Sequence, residues 1–252
     1  MTDFEFCVEY LRNANGIRGE IGVSGFNALR ALMNVTMPEN LSDEFFERQD
    51  RVLQQELAKK QVTAAEDIPL VKDKVSLFKG DITTIRADAI VNACNSQLLG
   101  CFQPLHMCID NAIHTFAGLQ MRRDLMKVMR EQGHAEPNGR CKVTAGYNLP
   151  AKYVFHTVGP IYNHTRQNAV DLTDCYLSCL KKADETALKT IVFCSLSTGV
   201  FGYPIEDASK IAINTVKNYL ENENKHIEKV IFNVFSDRDY EVYDRNIERI
   251  YR

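Results

Sequence analysis

No run of about 18 apolar residues occurs in the 252-residue chain, so nothing in it reads as a membrane span. Neither charge is in excess, since 30 Lys and Arg against 33 Asp and Glu leave a formal net charge of -3. That excludes the overall basic field of a nucleic-acid binder, and neither a membrane nor a nucleic acid is expected as partner. The opening Met-Thr-Asp-Phe-Glu-Phe is acidic and lacks the basic-then-apolar layout of a secretion signal. There is no Cys-x-x-Cys pair, no internal repeat and no low-complexity segment. Of the eight cysteines, Cys175 and Cys179 fall within a helical pattern and Cys194 ends an apolar run. Reduced cysteine serves in such places as a small apolar residue. The expectation is a cytoplasmic protein whose thiols are free or metal-bound.

What is present suits a globular protein. A chain 45% hydrophobic and 25% charged, at this length, can bury a sizeable core in one large domain or a domain with an appendage. Residues 1–66 read as a small helical N-terminal extension. Phe4, Cys7, Val8 and Leu11 mark one helix, and Phe26, Leu29, Leu32 and Met33 a second. Phe45, Phe46, Val52, Leu53 and Leu57 mark a third, with Ser42 or Asp43 as its cap. No catalytic constellation is visible there. From residue 67 the pattern changes to strands alternating with helices. Val75–Lys79, Ala89–Ala93, Lys142–Gly146, Tyr153–Val158, Thr190–Leu196 and Lys229–Phe235 read as strands. Helices are expected around Ile109–Phe116, Leu119–Met129, Leu172–Ala183 and Ile205–Leu220, with a closing helix near Tyr240–Tyr251. This alternation predicts a three-layer α/β domain over 67–252.

Ligands of such domains lie at the carboxyl ends of strands, where helix N-termini point amides outward. Three stretches qualify. Gly80-Asp81-Ile82 follows a strand, and Asp81 either accepts from an exocyclic amine or simply caps a turn. Ser195-Leu-Ser-Thr-Gly-Val-Phe-Gly-Tyr-Pro follows the most apolar strand. Gly199 and Gly202 allow close backbone approach, peptide N–H groups can form an anion nest, and Ser197 and Thr198 add hydroxyls. This suits a diphosphate, although the stretch lacks the Lys of a P-loop and is not G-x-G-x-x-G; an ordinary turn reads equally well.

The third stretch, Ile90 to His114, carries the greatest density of polar groups. Asn92 and Asn95 end a strand, Cys101, His106 and Cys108 lie close together, and Asp110 opens a helix. Three Cys/His ligands with an open fourth position is the arrangement of a catalytic zinc. Spacing alone leaves this level with unligated buried thiols. Residues two apart on a helix point about 200° apart, so a shared ion requires Cys101–Cys108 to be a loop. Asp110 then sits in the first helical turn, where the dipole favours its ionised form; it serves either as a base or as a cap. His114 is expected to be a hydrogen-bonded packing residue and His156 a structural one.

Taken in order, five motifs resemble the macrodomain family. They are Gly80-Asp-Ile-Thr, Ala87-Asp-Ala-Ile-Val-Asn-Ala-Cys-Asn-Ser, Asp110-Asn-Ala-Ile-His, Gly146-Tyr-Asn-Leu-Pro-Ala-Lys-Tyr-Val-Phe-His-Thr-Val-Gly-Pro and Ser197-Thr-Gly-Val-Phe-Gly-Tyr-Pro. The likeness is greatest to the MacroD-type group, whose members hydrolyse ADP-ribose from modified proteins, chiefly at acidic side chains. The usual glycine run before the Asp is replaced here by Cys101-Phe-Gln-Pro-Leu-His-Met-Cys-Ile, which is similar to the zinc-dependent macrodomains of bacteria and some fungi. The resemblance implies a mixed central sheet flanked by helices, behind a helical extension. It implies Zn2+ held by Cys101, His106 and Cys108, and a hydrolase site at Asn95 and Asp110. It further implies adenine contacts at Asp81 and Ile82 and a diphosphate loop at Ser197, Thr198, Gly199, Val200, Phe201 and Gly202. Tyr203 is placed near the distal ribose, Phe235 on adenine, and Asn92 as ligand contact or loop support. The implied substrate is a mono-ADP-ribosylated protein, of which a lipoate carrier similar to glycine-cleavage protein H, modified by a sirtuin, is one instance. A non-catalytic ADP-ribose reader and an O-acetyl-ADP-ribose deacetylase remain alternatives.

Overall fold

A computed structural model describes residues 1–19 and 21–252. Three helices come first: α1 (Asp3–Ala14), α2 (Phe26–Val35) and α3 (Asp43–Ala58). Thr2 and Glu5 close a capping box on α1, and Ser42 caps α3 by accepting from Phe45 N–H. Their apolar faces meet in a core of their own, with Cys7, Leu11, Leu29, Leu32, Phe45 and Leu53 buried. Leu119, from the main domain, completes this core.

The main sheet has seven strands: β2 (Leu70–Lys72), β3 (Val75–Lys79), β5 (Ala89–Cys94), β6 (Cys141–Ala145), β7 (Tyr153–Val158), β8 (Thr190–Cys194) and β9 (Lys229–Val234). Two short strands, β1 (Thr63–Ala64) and β4 (Ile85–Arg86), pair in parallel apart from it. The strand order is β2-β3-β9-β8-β5-β7-β6. The five inner strands are parallel, while β2 and β6 are antiparallel edges, so the sheet is mixed as expected. Inner strands of parallel sheets are covered on both faces and read as continuous apolar runs. β8, Thr-Ile-Val-Phe-Cys, is accordingly buried at all five positions.

Helices α4 (Ile109–Ala117), α5 (Leu119–Gln132), α6 (Arg166–Glu185), α7 (Ile205–Asn222) and α8 (Asp237–Ile250) flank the sheet. None of the described helices is long and apolar enough to cross a membrane. All eight cysteines are unpaired.

Candidate active-site cleft

The carboxyl ends of β3, β5, β7, β8 and β9 open into one cleft of about 920 Å³. Asp81, Ile82, Asn95, Cys101, His106, Cys108, Asp110, Ser197, Thr198, Gly199, Val200, Phe201 and Phe235 all line it. The sequence-derived candidates thus converge on one concavity although they are up to 154 positions apart. Asn92, Gly202 and Tyr203 do not line it. Asn92 is wholly buried behind the wall. Gly202 N–H donates to Gly199 O (3.0 Å) and Tyr203 N–H to Ser197 O (2.9 Å), so both shape the loop from behind.

At one end, Asp81 Oδ1 accepts from Thr83 N–H (2.9 Å) and Thr83 Oγ1 (2.6 Å), and Asp81 Oδ2 from Lys60 Nζ (2.9 Å). The capping role and the cleft position therefore coexist. Burial pushes the carboxyl up, but the bonds from Thr83 and Lys60 outweigh it and hold the group below its ordinary value. Phe235 is 77% exposed at the mouth, a flat ring free to stack.

In the loop after β8, Ser197 adopts a left-handed φ of 63°. Among the described residues no acceptor takes the backbone N–H groups of Thr198, Gly199, Val200 or Phe201. Unpartnered successive amides of this kind form an anion nest. The Thr198 hydroxyl is not free as expected, because it donates to Ser195 O (3.0 Å). The Ser197 hydroxyl is buried without a partner. Gly159, which the sequence reading passed over, supports this loop: a Cβ there would lie 2.1 Å from Ser197 Oγ.

At the other end, Cys101 to Cys108 is an irregular loop, as the spacing argument required, and α4 starts at Ile109. The ligand atoms of Cys101, His106 and Cys108 lie within 4.8 Å of one another. Cys108 is the N-cap of α4, its sulfur accepting from Asn111 N–H (3.4 Å). His106 Nδ1 is buried and has no hydrogen-bond partner. Two thiols and an imidazole with an unpaired nitrogen form a donor set that fits zinc, with one position left open. Asn95 braces the loop's start: its Nδ2 donates to Gly100 O (3.1 Å) and its Oδ1 accepts from Gln97 N–H (2.9 Å).

Asp110 lies in the first turn of α4 as expected, but burial outweighs the helix dipole and raises its pKa to about 6. Opposing that, Asn92 Nδ2 donates to Asp110 Oδ1 at 2.8 Å. A hydrogen-bond chain fixes Asn92 in this role. The Thr144 hydroxyl donates to Ala145 O (3.0 Å), so it accepts from His156 Nε2 (2.9 Å). His156 Nδ1 is then an acceptor facing Asn92 Nδ2 (3.3 Å), which turns the amide's donor end toward Asp110. Burial holds His156 neutral, with its pKa lowered to about 3. His156 is structural, as read from sequence, yet it acts on the site through Asn92. His114 differs from expectation: neither ring nitrogen is hydrogen-bonded. Its ring instead packs under Gly100 (φ 85°), where a Cβ would meet it at 2.8 Å.

Two further wall residues, Arg30 and Lys60, come from the extension. Lys60 Nζ also sits 3.5 Å from the Phe116 ring centroid. Lys60 carried no signal in sequence. Arg30 carried a faint one, as the sole charge in the otherwise uncharged Phe-Asn-Ala-Leu-Arg-Ala-Leu-Met-Asn-Val, four residues before Asn34.

The chain is similar to known proteins. A model of the Macro domain matches residues 91–212. A protein-ADP-ribose hydrolase of Staphylococcus aureus (strain MSSA476) is 46% identical over 224 residues, covering 87% of this chain and 84% of its own. One of Treponema medium is 45% identical over 223 residues, covering 86% and 85%. The crystal structure of the Trypanosoma brucei macrodomain in complex with ADP-ribose is similar with a TM-score of 0.67 and 28% identity, over 90% of this chain and 96% of that one. With its sheet order, its cleft at the strand ends and relatives of this identity and coverage, the chain belongs to the macrodomain family.

Proposed function

We propose that this protein is a zinc-dependent hydrolase that removes ADP-ribose from acidic side chains of modified proteins. Hydrolysis of ADP-ribosylated protein follows from the relatives named above. The finer reading rests on one observation: Cys101, His106 and Cys108 gather their ligand atoms within 4.8 Å at the end of the cleft that Asp110 also lines.

The chain's own groups divide the work along the cleft. Asp81 accepts from the adenine amine, Ile82 packs against the base, and Phe235 stacks on it. The free amides of Thr198–Phe201 hold the diphosphate. After its two loop bonds, Asn95 keeps one N–H and one lone pair for ribose hydroxyls. Asp110, oriented by Asn92, positions the attacking water. Water adds and the ester between ribose C1″ and the protein carboxylate opens, giving free ADP-ribose and the carboxylic acid. Zinc, when bound by the three ligands, supplies Lewis acidity at the distal-ribose end. Fixing the ring over that end contributes several kcal/mol in systems of this kind, roughly what effective molarities allow. A lipoate carrier of the glycine-cleavage H type, modified by a sirtuin, is the proposed protein substrate, supported by the resemblance of the ligand loop. Eight cysteines suit the reducing cytoplasm.

The test is metal analysis of the purified protein, paired with release of ADP-ribose from a carboxylate-modified protein with and without chelator. Zinc should copurify and chelator should stop turnover. Cys101→Ala should lose both zinc and turnover while keeping its affinity for free ADP-ribose. Hydrolysis by Cys101→Ala at the wild-type rate would overturn the metal reading.

A further inference from the structure

The segment that carries the three ligands is not held by the macrodomain alone. Its backbone is pinned by α2 of the extension at two adjacent residues. Arg30 Nη2 donates to His106 O at 3.0 Å. Asn34 Oδ1 accepts from Leu105 N–H at 3.0 Å. Leu105 itself adopts a φ of 57°, in the left-handed region that a branched side chain rarely occupies. Such a conformation persists where surrounding contacts over-determine it, and here the contacts come from 71 and 76 positions away in sequence.

A second connection runs through Asn111, which is fully buried. Arg30 Nε and Nη2 both donate to Asn111 Oδ1 (3.1 and 2.8 Å). That fixes which end of the amide is the donor. Asn111 Nδ2 consequently donates to Gln103 O (3.1 Å) and Cys101 O (3.5 Å), while its backbone N–H reaches Cys108 Sγ (3.4 Å). One guanidinium therefore bears on all three ligand residues: on His106 directly, and on Cys101 and Cys108 through Asn111.

We propose that Arg30 and Asn34 are positioning residues for the ligand set, so that the helical extension is part of the metal-binding site and not a cover for apolar surface. The inference rests on the proposed metal reading. Partners in this position orient ligands and typically change metal affinity by roughly 10–100-fold when removed.

The experiment measures zinc affinity of the full-length chain by competition with a chromogenic chelator. Arg30→Met should bind zinc about 10–100-fold more weakly. Arg30→Lys keeps the charge but loses the planar fork; it is also the milder variant for folding, and its affinity should fall between the two. Arg51→Met, which breaks the exposed pair with Asp3 within the same extension, should leave zinc affinity at the wild-type value. Wild-type zinc affinity in both Arg30 variants, with Cys101→Ser losing zinc, overturns the positioning role alone. Wild-type zinc affinity in Cys101→Ser overturns the metal reading and the positioning role with it.

Discussion

Arg122, on α5, is the most consequential buried charge in the protein, and replacing it tests how the extension is joined to the macrodomain. The side chain is 1% exposed. Its guanidinium donates to Leu99 O (2.7 Å), Met33 O (2.8 Å) and Thr36 O (2.6 Å), and lies 4.5 Å from the Phe102 ring centroid. Met33 and Thr36 end α2, where unpaired carbonyls and the negative end of the helix dipole collect. Leu99 leads into the Cys101 loop. One side chain thus joins the extension to the loop after β5.

Arg122→Met removes three charge-assisted bonds, each worth about 1.5–3 kcal/mol. Against this stands a relief. Burial lowers the guanidinium from its ordinary value to about 10, a cost of about 3 kcal/mol at 1.36 kcal/mol per pH unit that the apolar variant no longer bears. The carbonyls win, and the net loss is about 1–6 kcal/mol. For a chain of this length each kcal/mol moves the melting temperature by about 2–4 °C, so the midpoint should fall by at least about 2 °C in a calorimetric scan. Arg122→Lys keeps the charge but offers a point donor to three separated acceptors, and should recover only part. Arg51→Met serves as the control, since exposed ion pairs contribute about 0–1 kcal/mol. A melting temperature for Arg122→Met within about 1 °C of wild type would mean that the three carbonyls find other donors and that Arg122 does not join the extension to the macrodomain.

The loop proposed to hold the diphosphate can be disturbed through Gly159. Gly159→Ala places a Cβ 2.1 Å from Ser197 Oγ; overpacking of this order costs about 1–3 kcal/mol, and calorimetric titration should show ADP-ribose affinity reduced about tenfold or more. Unchanged affinity would remove the loop from the binding site. The buried neutral His156 imposes a pH dependence on stability. Its folded pKa, about 3, lies below the ordinary 6.5, so the unfolded chain takes up the proton first; this stability is complete above pH 6.5 and is lost as pH falls toward 3. Between pH 7 and pH 5, urea midpoints should show wild type losing about 2 kcal/mol more than His156→Gln. Parallel pH profiles would count against a neutral His156.

Much of the fold was legible because the inner strands are apolar runs and the helices keep their period. Thr190–Cys194 reads as a strand buried on both faces, and it is. The convergence of Asp81, Ser197 and Phe235 on one cleft was legible for a related reason: each follows a strand, and parallel strands bring their carboxyl ends together. The requirement that Cys101–Cys108 be a loop followed from helix geometry once a shared ion was assumed. What stayed hidden were contacts between residues remote in sequence. Arg30 reaching His106, Lys60 reaching Asp81 and Arg122 reaching Thr36 leave no periodic trace, because each depends on how the extension docks. The state of Asp110 was hidden as well. Its place at a helix N-terminus is visible in sequence, whereas the burial that overrides the dipole is a property of the packed core.

The two ends of the cleft differ in what sustains them. The end lined by Asp81 and Ser197 is made by turns that the sheet itself places side by side. The end lined by Cys101, His106 and Cys108 is made by the stretch from Leu99 to Cys108, which pairs with no strand and contains a left-handed Leu105. Its polar backbone must find partners or bear the desolvation cost of about 1–3 kcal/mol per buried group. α2 supplies them at Leu105 N–H and His106 O, and Arg122 supplies one at Leu99 O. The dependence runs both ways. Without the loop and α4, Asn34 and Arg30 lose their polar acceptors and donors, and without α5 the carbonyls of Met33 and Thr36 lose Arg122. Extension and ligand loop are therefore one structural unit in energetic terms, and neither can be exchanged alone without orphaning buried polar groups on the other.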